Sequence, residues 1–214
     1  NELLDGQPDA HAYFGRMKRE NREGPAVMGE RAPLTELTTA DVARGLSADT
    51  VTFVDTRSNT DVHEGTVTGS LNIPAGKSTA SFGAWVVNPE TDKNPLVLLA
   101  PTQAAAQEMR DHLVRVGIDN VAGYLTSFEG LPTSTPRLIQ PAELADFDAA
   151  MLLDVRNRTE HAAGHIPGSH QLSGGRVMWH LDELPAGGTL VTYCQSGVRN
   201  SVAASALRRA GYDV

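Results

Sequence analysis

The stretch Phe53-Val54-Asp55-Thr56-Arg57 recurs as Leu152-Leu153-Asp154-Val155-Arg156, an offset of 99 residues (154 − 55 = 99). The same offset superposes Thr60 on Thr159, Asp61 on Glu160, Gly65 on Gly164, Gly69 on Gly168 and Ser70 on Ser169. A register kept over so many positions is an internal repeat, and a repeat sets the architecture before any single element does. A second block follows at an offset of 94 (211 − 117 = 94), pairing Leu96-Val97 with Leu190-Val191, Leu113 with Leu207, Arg115 with Arg209, Gly117 with Gly211 and Asp119 with Asp213. A five-residue loop deletion between the blocks accounts for the change (99 − 94 = 5).

Each copy reads as a short apolar strand, a turn-rich stretch with Gly and Pro, a second apolar strand and a helix ending at glycine. Strands alternating with helices predict an α/β fold of two similar domains, each a mostly parallel central sheet flanked by helices. The expected boundaries are a lead-in over 1–33 with one short helix around Met17–Glu23, a first domain over 34–133 and a second over 134–214. Thr133-Ser134-Thr135-Pro136 reads as an extended linker, because hydroxyl residues and proline disfavour helix there. The first copy runs on through Asn120-Val121-Ala122-Gly123-Tyr124-Leu125, a closing strand that the second lacks at Val214, so the natural chain is expected to continue. Its start at Asn1 rather than Met points to a piece of something longer.

The 214 residues are 40% hydrophobic, enough for one or two cores. A net charge of −8 gives no electrostatic reason to expect nucleic acid or an anionic membrane as partner. No stretch approaches the roughly 20 apolar residues of a membrane span. The single cysteine, Cys194, excludes an intrachain disulfide framework and a thiolate metal cluster, and agrees with a cytoplasmic location.

Leu190-Val191-Thr192-Tyr193 is a strand that ends directly at Cys194, and Ser201–Leu207 is a helix just beyond it. The cysteine therefore lies at the carboxyl edge of a parallel sheet, beside the unpaired N–H groups and positive end of a helix. Gly197 lets the loop turn its amides inward, and Arg199 carries a fork suited to oxyanions. Such surroundings favour thiolate over thiol, the form that attacks sulfur. A lone cysteine at a strand end is more often inert core; Gly197, Arg199 and the helix start reverse that balance. Cys194 and Arg199 are the candidate catalytic residues, with Gln195, Ser196, Gly197 and Val198 binding substrate. Asp154 and Arg156 recur where the cysteine does not, so a structural ion pair is preferred for them over acid and base.

Asp154-Val155-Arg156 with Glu160, Gly164-His165-Ile166-Pro167-Gly168-Ser169 and Cys194-Gln195-Ser196-Gly197-Val198-Arg199 together resemble the rhodanese family, over about residues 34–214. The resemblance implies a sulfurtransferase that carries sulfane sulfur as a persulfide on Cys194, needs no cofactor or metal, and uses Asp154, Arg156 and Glu160 as structural support. Rhodanese loops have six residues from the cysteine, as Cys194 to Arg199 does, whereas phosphatases of the Cdc25 type and arsenate reductases use one more. His161 stands where the family usually has an aromatic residue, which implies a packing adjustment. His161 and His165 are not expected to bind metal, because Gly164 and Pro167 prevent a helix through both. In the first copy Ala100 replaces the cysteine and Pro101 removes an amide, so that copy is expected to be catalytically dead.

Gln7-Pro8, Tyr13-Phe14, Met17-Lys18-Arg19 and Asn21-Arg22-Glu23-Gly24-Pro25 resemble the linker of fusions between a metallo-β-lactamase-fold (persulfide dioxygenase) domain and rhodanese domains. Such an upstream domain is the implied partner, beside a small substrate such as thiosulfate or a low-molecular-weight persulfide and a thiol or cyanide acceptor. A sulfur-carrier or docking module without catalysis is the alternative, and phosphatase or arsenate chemistry a weaker one. Trp85 and Trp179 lie between the motif blocks, where they either line pockets or fill core, and the resemblance implies that Arg176 and Trp179 shape the substrate mouth.

Overall fold

Thr52–Asp55 (β1) and Leu96–Leu99 (β4) are buried at all four of their residues, as strands covered on both faces must be. They belong to a computed structural model that describes residues 10–24 and 29–214. Gln7-Pro8 and Pro25 of the lead-in lie outside the described residues. The chain opens with helix α1 (Phe14–Glu23), which starts three residues before the expected Met17, and continues through α2 (Thr39–Ser47) into β1. There follow α3 (Asn59–Glu64), β2 (Thr66–Val67), β3 (Leu71–Asn72), α4 (Thr79–Val86), β4, α5 (Gln103–Val114) and β5 (Val121–Leu125). The first sheet runs β3-β1-β4-β5 with every pairing parallel.

Beyond β6 (Thr133–Ser134) the pattern repeats as β7 (Met151–Asp154), α6 (Arg158–Ala163), β8 (His170–Gln171), α7 (Gly174–Val177), β9 (Leu190–Tyr193) and α8 (Val198–Arg209). This sheet runs β8-β7-β9, again all parallel. The fold is thus mixed α/β with mostly parallel sheets flanked by helices. The five-residue change of offset falls where α4 is replaced by the shorter α7. Thr133-Ser134 is extended as expected, but it is pinned as a strand, antiparallel to β2. Side-chain oxygens of Thr38, Ser58 and Thr102 accept from backbone N–H groups in the first turns of α2, α3 and α5, which fixes where those helices start.

Helix α8 decides how the halves meet. The helix expected from Ser201 begins three residues earlier at Val198, and Ser201 through Leu207 are all buried. Val202 and Ala206 belong to the core cluster of the first sheet, with Val54, Leu98 and Leu113. Ala203 and Leu207 belong to that of the second, with Leu153, Val155 and Leu190. A helix of small side chains can be enclosed from both sides in this way, because alanine and serine let neighbouring backbones come close. Trp85 is core, 7% exposed, in the first cluster. Among the described residues no helix is long and apolar enough to cross a membrane.

Candidate active site

Strand β9 delivers Cys194 to the carboxyl edge of the second sheet, and Gly197 turns the chain into α8. Gly197 takes φ +86°, a left-handed conformation that residues with a Cβ rarely adopt, and it is the N-cap of the helix. That turn aims its N–H at the cysteine: Gly197 N donates to Cys194 Sγ over 3.2 Å. The thiol is unpaired and half-buried, packed on one side against the second core cluster. On its other side Cys194 Sγ donates to Asn200 Oδ1 at 3.3 Å, while Asn200 Nδ2 donates to the Thr192 carbonyl at 3.3 Å. Gln195 and Ser196 are exposed at the loop's tip, and Val198 is the first helical residue.

Arg199 does not stand alone over the loop. Its two terminal nitrogens donate to the two oxygens of Glu160 at 2.6 and 2.8 Å, a bidentate pair across 39 residues of sequence. Glu160 also accepts from Asn157 N–H at 3.1 Å, closing the start of α6. The hydrogen bonds from Arg199 hold the Glu160 carboxyl below its usual range, and Glu160 in turn raises Arg199. The supporting acid thus anchors the guanidinium that ends the cysteine loop.

Asp154 lies behind the loop with its side chain fully buried. Arg156 reaches it with Nε at 2.9 Å, Nη2 at 2.6 Å and its backbone N–H at 3.0 Å. Tyr193 OH donates to Asp154 Oδ2 at 2.9 Å, and His161 Nδ1 lies 3.0 Å from the same oxygen. Burial opposes ionisation of this carboxyl, yet these hydrogen bonds outweigh it and hold the group at about 2. Arg156 Nη2 continues to the Gly164 carbonyl at 2.8 Å, so one ion pair ties the strand end to the turn before Ile166. The first copy repeats the device: Arg57 donates to Asp55 at 3.0 and 2.6 Å and to the Gly65 carbonyl at 2.7 Å. The same ion pair thus forms in both copies, with and without a cysteine beside it.

His161 stacks on His165 with centroids 3.8 Å apart and planes 12° from parallel. Among the described residues no group of three or more His, Cys, Asp or Glu side chains could hold a metal ion. Arg176 Nη2 lies 3.1 Å from His180 Nε2, which occupies it within its own turn. In the first copy Ala100 N–H donates to the Leu125 carbonyl at 2.9 Å, Pro101 has no N–H to offer, and Thr102 caps α5. A cleft of about 310 Å³ remains there, between Arg57, Pro101 and Phe128.

Two residues at the site escaped the reading of the sequence. Asn200 sits in the first turn of a helix, where asparagine is a poor helix former unless its amide bonds locally, and that mismatch is the available signal. Tyr193 precedes the cysteine in a strand and looks like ordinary β-sheet filling. The first copy also reaches the loop: a Cβ on Gly197 would lie 2.7 Å from Asn59 Nδ2.

A family described as Rhodanese-like domain matches residues 139–214, which hold the whole Cys194 loop. A sulfurtransferase of Allochromatium vinosum is 36% identical over 69 residues, 32% of this chain and 64% of that protein. The thiosulfate sulfurtransferase GlpE of Pseudoalteromonas translucida is 30% identical over 76 residues, 36% of this chain and 72% of the relative. A solved thiosulfate sulfurtransferase from Pseudomonas aeruginosa is similar at a TM-score of 0.38 and 20% identity, over 94% of this chain and 44% of that one. An anaerobic ergothioneine biosynthesis enzyme from Chlorobium limicola is similar at a TM-score of 0.39 and 18% identity, over 65% of this chain and 41% of that one. With residues 139–214 matched and the Pseudoalteromonas relative covered over most of its length, the chain belongs to the rhodanese-like family.

Proposed function

We propose that the chain is a sulfurtransferase in which Cys194 accepts a sulfane sulfur from thiosulfate or a low-molecular-weight persulfide and passes it to cyanide or a thiol. The observation that carries this reading is the Gly197 N–H directed at Cys194 Sγ over 3.2 Å at the start of α8. Family membership and the sulfurtransferase names of the relatives support the same reaction class.

The thiol first loses its proton to solvent. Cys194 S⁻ then attacks the outer sulfur of thiosulfate, the S–S bond breaks with its electron pair on the departing sulfite, and Cys194 is left as Cys-S-S⁻. Cyanide next attacks the outer sulfur, and the electron pair of the Cys-S–S bond returns to Cys194 as thiocyanate leaves. Gly197 N–H faces the thiolate before the first step, and the same sulfur when it becomes a thiolate again as thiocyanate leaves. The dipole of α8 acts in the same sense. Arg199, held by Glu160, contributes fixed positive charge beside the loop, while Gln195 and Ser196 are open to the arriving donor.

The remaining roles are part of the same proposal. The first copy is a degenerate rhodanese-like domain without its own persulfide site, and the pair works in the cytoplasm next to an upstream metallo-β-lactamase-fold domain. Intact mass after thiosulfate treatment tests the central step. A gain of about 32 Da, one sulfur atom held as a persulfide, is expected on the wild-type chain and is removed by cyanide. Cys194→Ser is expected to show no gain; an equal gain in that variant would place the chemistry elsewhere.

A further inference from the structure

Strand β3 of the cysteine-less copy ends at Asn72, which is 1% exposed and has every polar atom of its side chain engaged. Its Nδ2 donates to the carbonyls of Asp55 and Arg57, both at 3.1 Å, which fixes it to the loop that leaves β1. Its Oδ1 accepts from Ser201 Oγ at 2.8 Å, and its backbone N–H donates to Ser205 Oγ at 2.9 Å. Ser201 N–H donates to the Gly197 carbonyl at 3.1 Å, and Gly197 N–H donates to Cys194 Sγ at 3.2 Å. Four links thus run without a gap from the β1 loop of the first copy to the sulfur of the second.

We propose that Asn72 is a positioning residue for sulfur transfer at Cys194: from the copy that lacks a cysteine, it sets through Ser201 where the Gly197 N–H points. The inference rests on the sulfurtransferase reading and deepens it, since it gives the inactive copy a part in the reaction. Buried hydrogen bonds favour one geometry, and here they bind the first turn of α8 to a rigid strand end. Ser205 separates this role from general stability. It is as buried as Ser201, 2% against 3% exposed, and bonds the same asparagine, yet it lies one turn farther from the cysteine.

The test measures the rate of persulfide formation on the full chain by quenched intact mass over a range of thiosulfate concentrations. Ser201→Ala, a change the helix tolerates, is expected to slow the saturated rate about tenfold with the half-saturating concentration unchanged, because misplacement of a catalytic group lowers rate more than binding. Asn72→Ala is expected to do the same, and the double variant to be no slower than Asn72→Ala, as members of one chain of contacts behave. Ser205→Ala is expected to load within about twofold of wild type while lowering the melting temperature as much as Ser201→Ala does. Loading by Ser201→Ala at the wild-type rate, or Ser205→Ala as slow as Ser201→Ala, overturns the role of Asn72 and leaves the sulfurtransferase reading standing. A wild-type chain that takes up no cyanide-labile sulfur overturns both.

Discussion

The sulfur of Cys194 touches one donor, Gly197 N–H, and one acceptor, Asn200 Oδ1. The acceptor suits a thiol; an anion there needs the amide turned so that Nδ2 faces sulfur, at the expense of its bond to the Thr192 carbonyl. Asn200→Asp takes away that option and sets a carboxylate about 3 Å from the attacking atom. Persulfide formation is expected to slow at least about tenfold, since a charge on sulfur is then met by a like charge, whereas Asn200→Ala should lose less. Rates of mass gain from thiosulfate distinguish the two. Asp154 gives a second prediction at this scale. Its folded value of about 2 lies below the ordinary 3.8, so its ionised form stabilises the fold above roughly pH 4. As pH falls from about 4 through 2 that contribution, of about 2 kcal/mol, is lost. Melting temperatures between pH 5 and 2 should drop in that window, and the drop should shrink in Asp154→Asn.

Helix α8 and the turn before it hold the site's geometry, and Gly197 is where a side chain would disturb it most. An L-residue in the left-handed region costs roughly 1–2 kcal/mol, and a methyl at Gly197 would also meet Asn59 Nδ2 at 2.7 Å. Gly197→Ala is expected to lower stability by at least that amount in urea unfolding and to slow persulfide formation, since the N–H that faces sulfur moves with the turn. Adding Asn59→Ala should recover only the part due to the clash. These elements also mark what the sequence reveals. Strands β1, β4, β7 and β9 stand out as apolar runs, and the Asp-x-Arg repeat with the Cys194 loop identifies the sheet edge. The double enclosure of α8 is hidden, because Val202, Ala203, Ala204 and Ala206 put small apolar side chains on more than one face and only Ser201 and Ser205, one turn apart, interrupt them, so no single apolar stripe stands out. The Arg199–Glu160 pair and the approach of Asn59 to Gly197 join residues far apart in sequence, and only the packing of the sheets brings them together.

Across the whole molecule the two copies share material rather than merely touching. Val202 and Ala206 fill the first core while Ala203 and Leu207 fill the second, and Arg209 Nη2 donates to Thr52 Oγ1 at 2.9 Å across the same boundary. At the other end Ala12 N–H, just before α1, donates to the Gly175 carbonyl at 3.2 Å. Unfolding the second copy alone would pull α8 out of the first and open a void under Leu98 and Leu113, so neither half can lose its structure without destabilising the other. One cooperative transition is therefore expected where two independent domains would give two. The two tryptophans report it from different places: Trp85 sits in the first core cluster, where its ring also lies against Gly174 of α7, and Trp179 follows α7 in the second copy. In Trp179→Phe the fluorescence of Trp85, and in Trp85→Phe that of Trp179, should change at the same urea concentration as that variant's own far-ultraviolet circular dichroism. Comparing probes within one variant removes the stability change that each substitution brings. A Trp179 signal that completes its transition while half the helical signal remains would mean that the second copy unfolds alone, and that α8 leaves the first core without bringing it down.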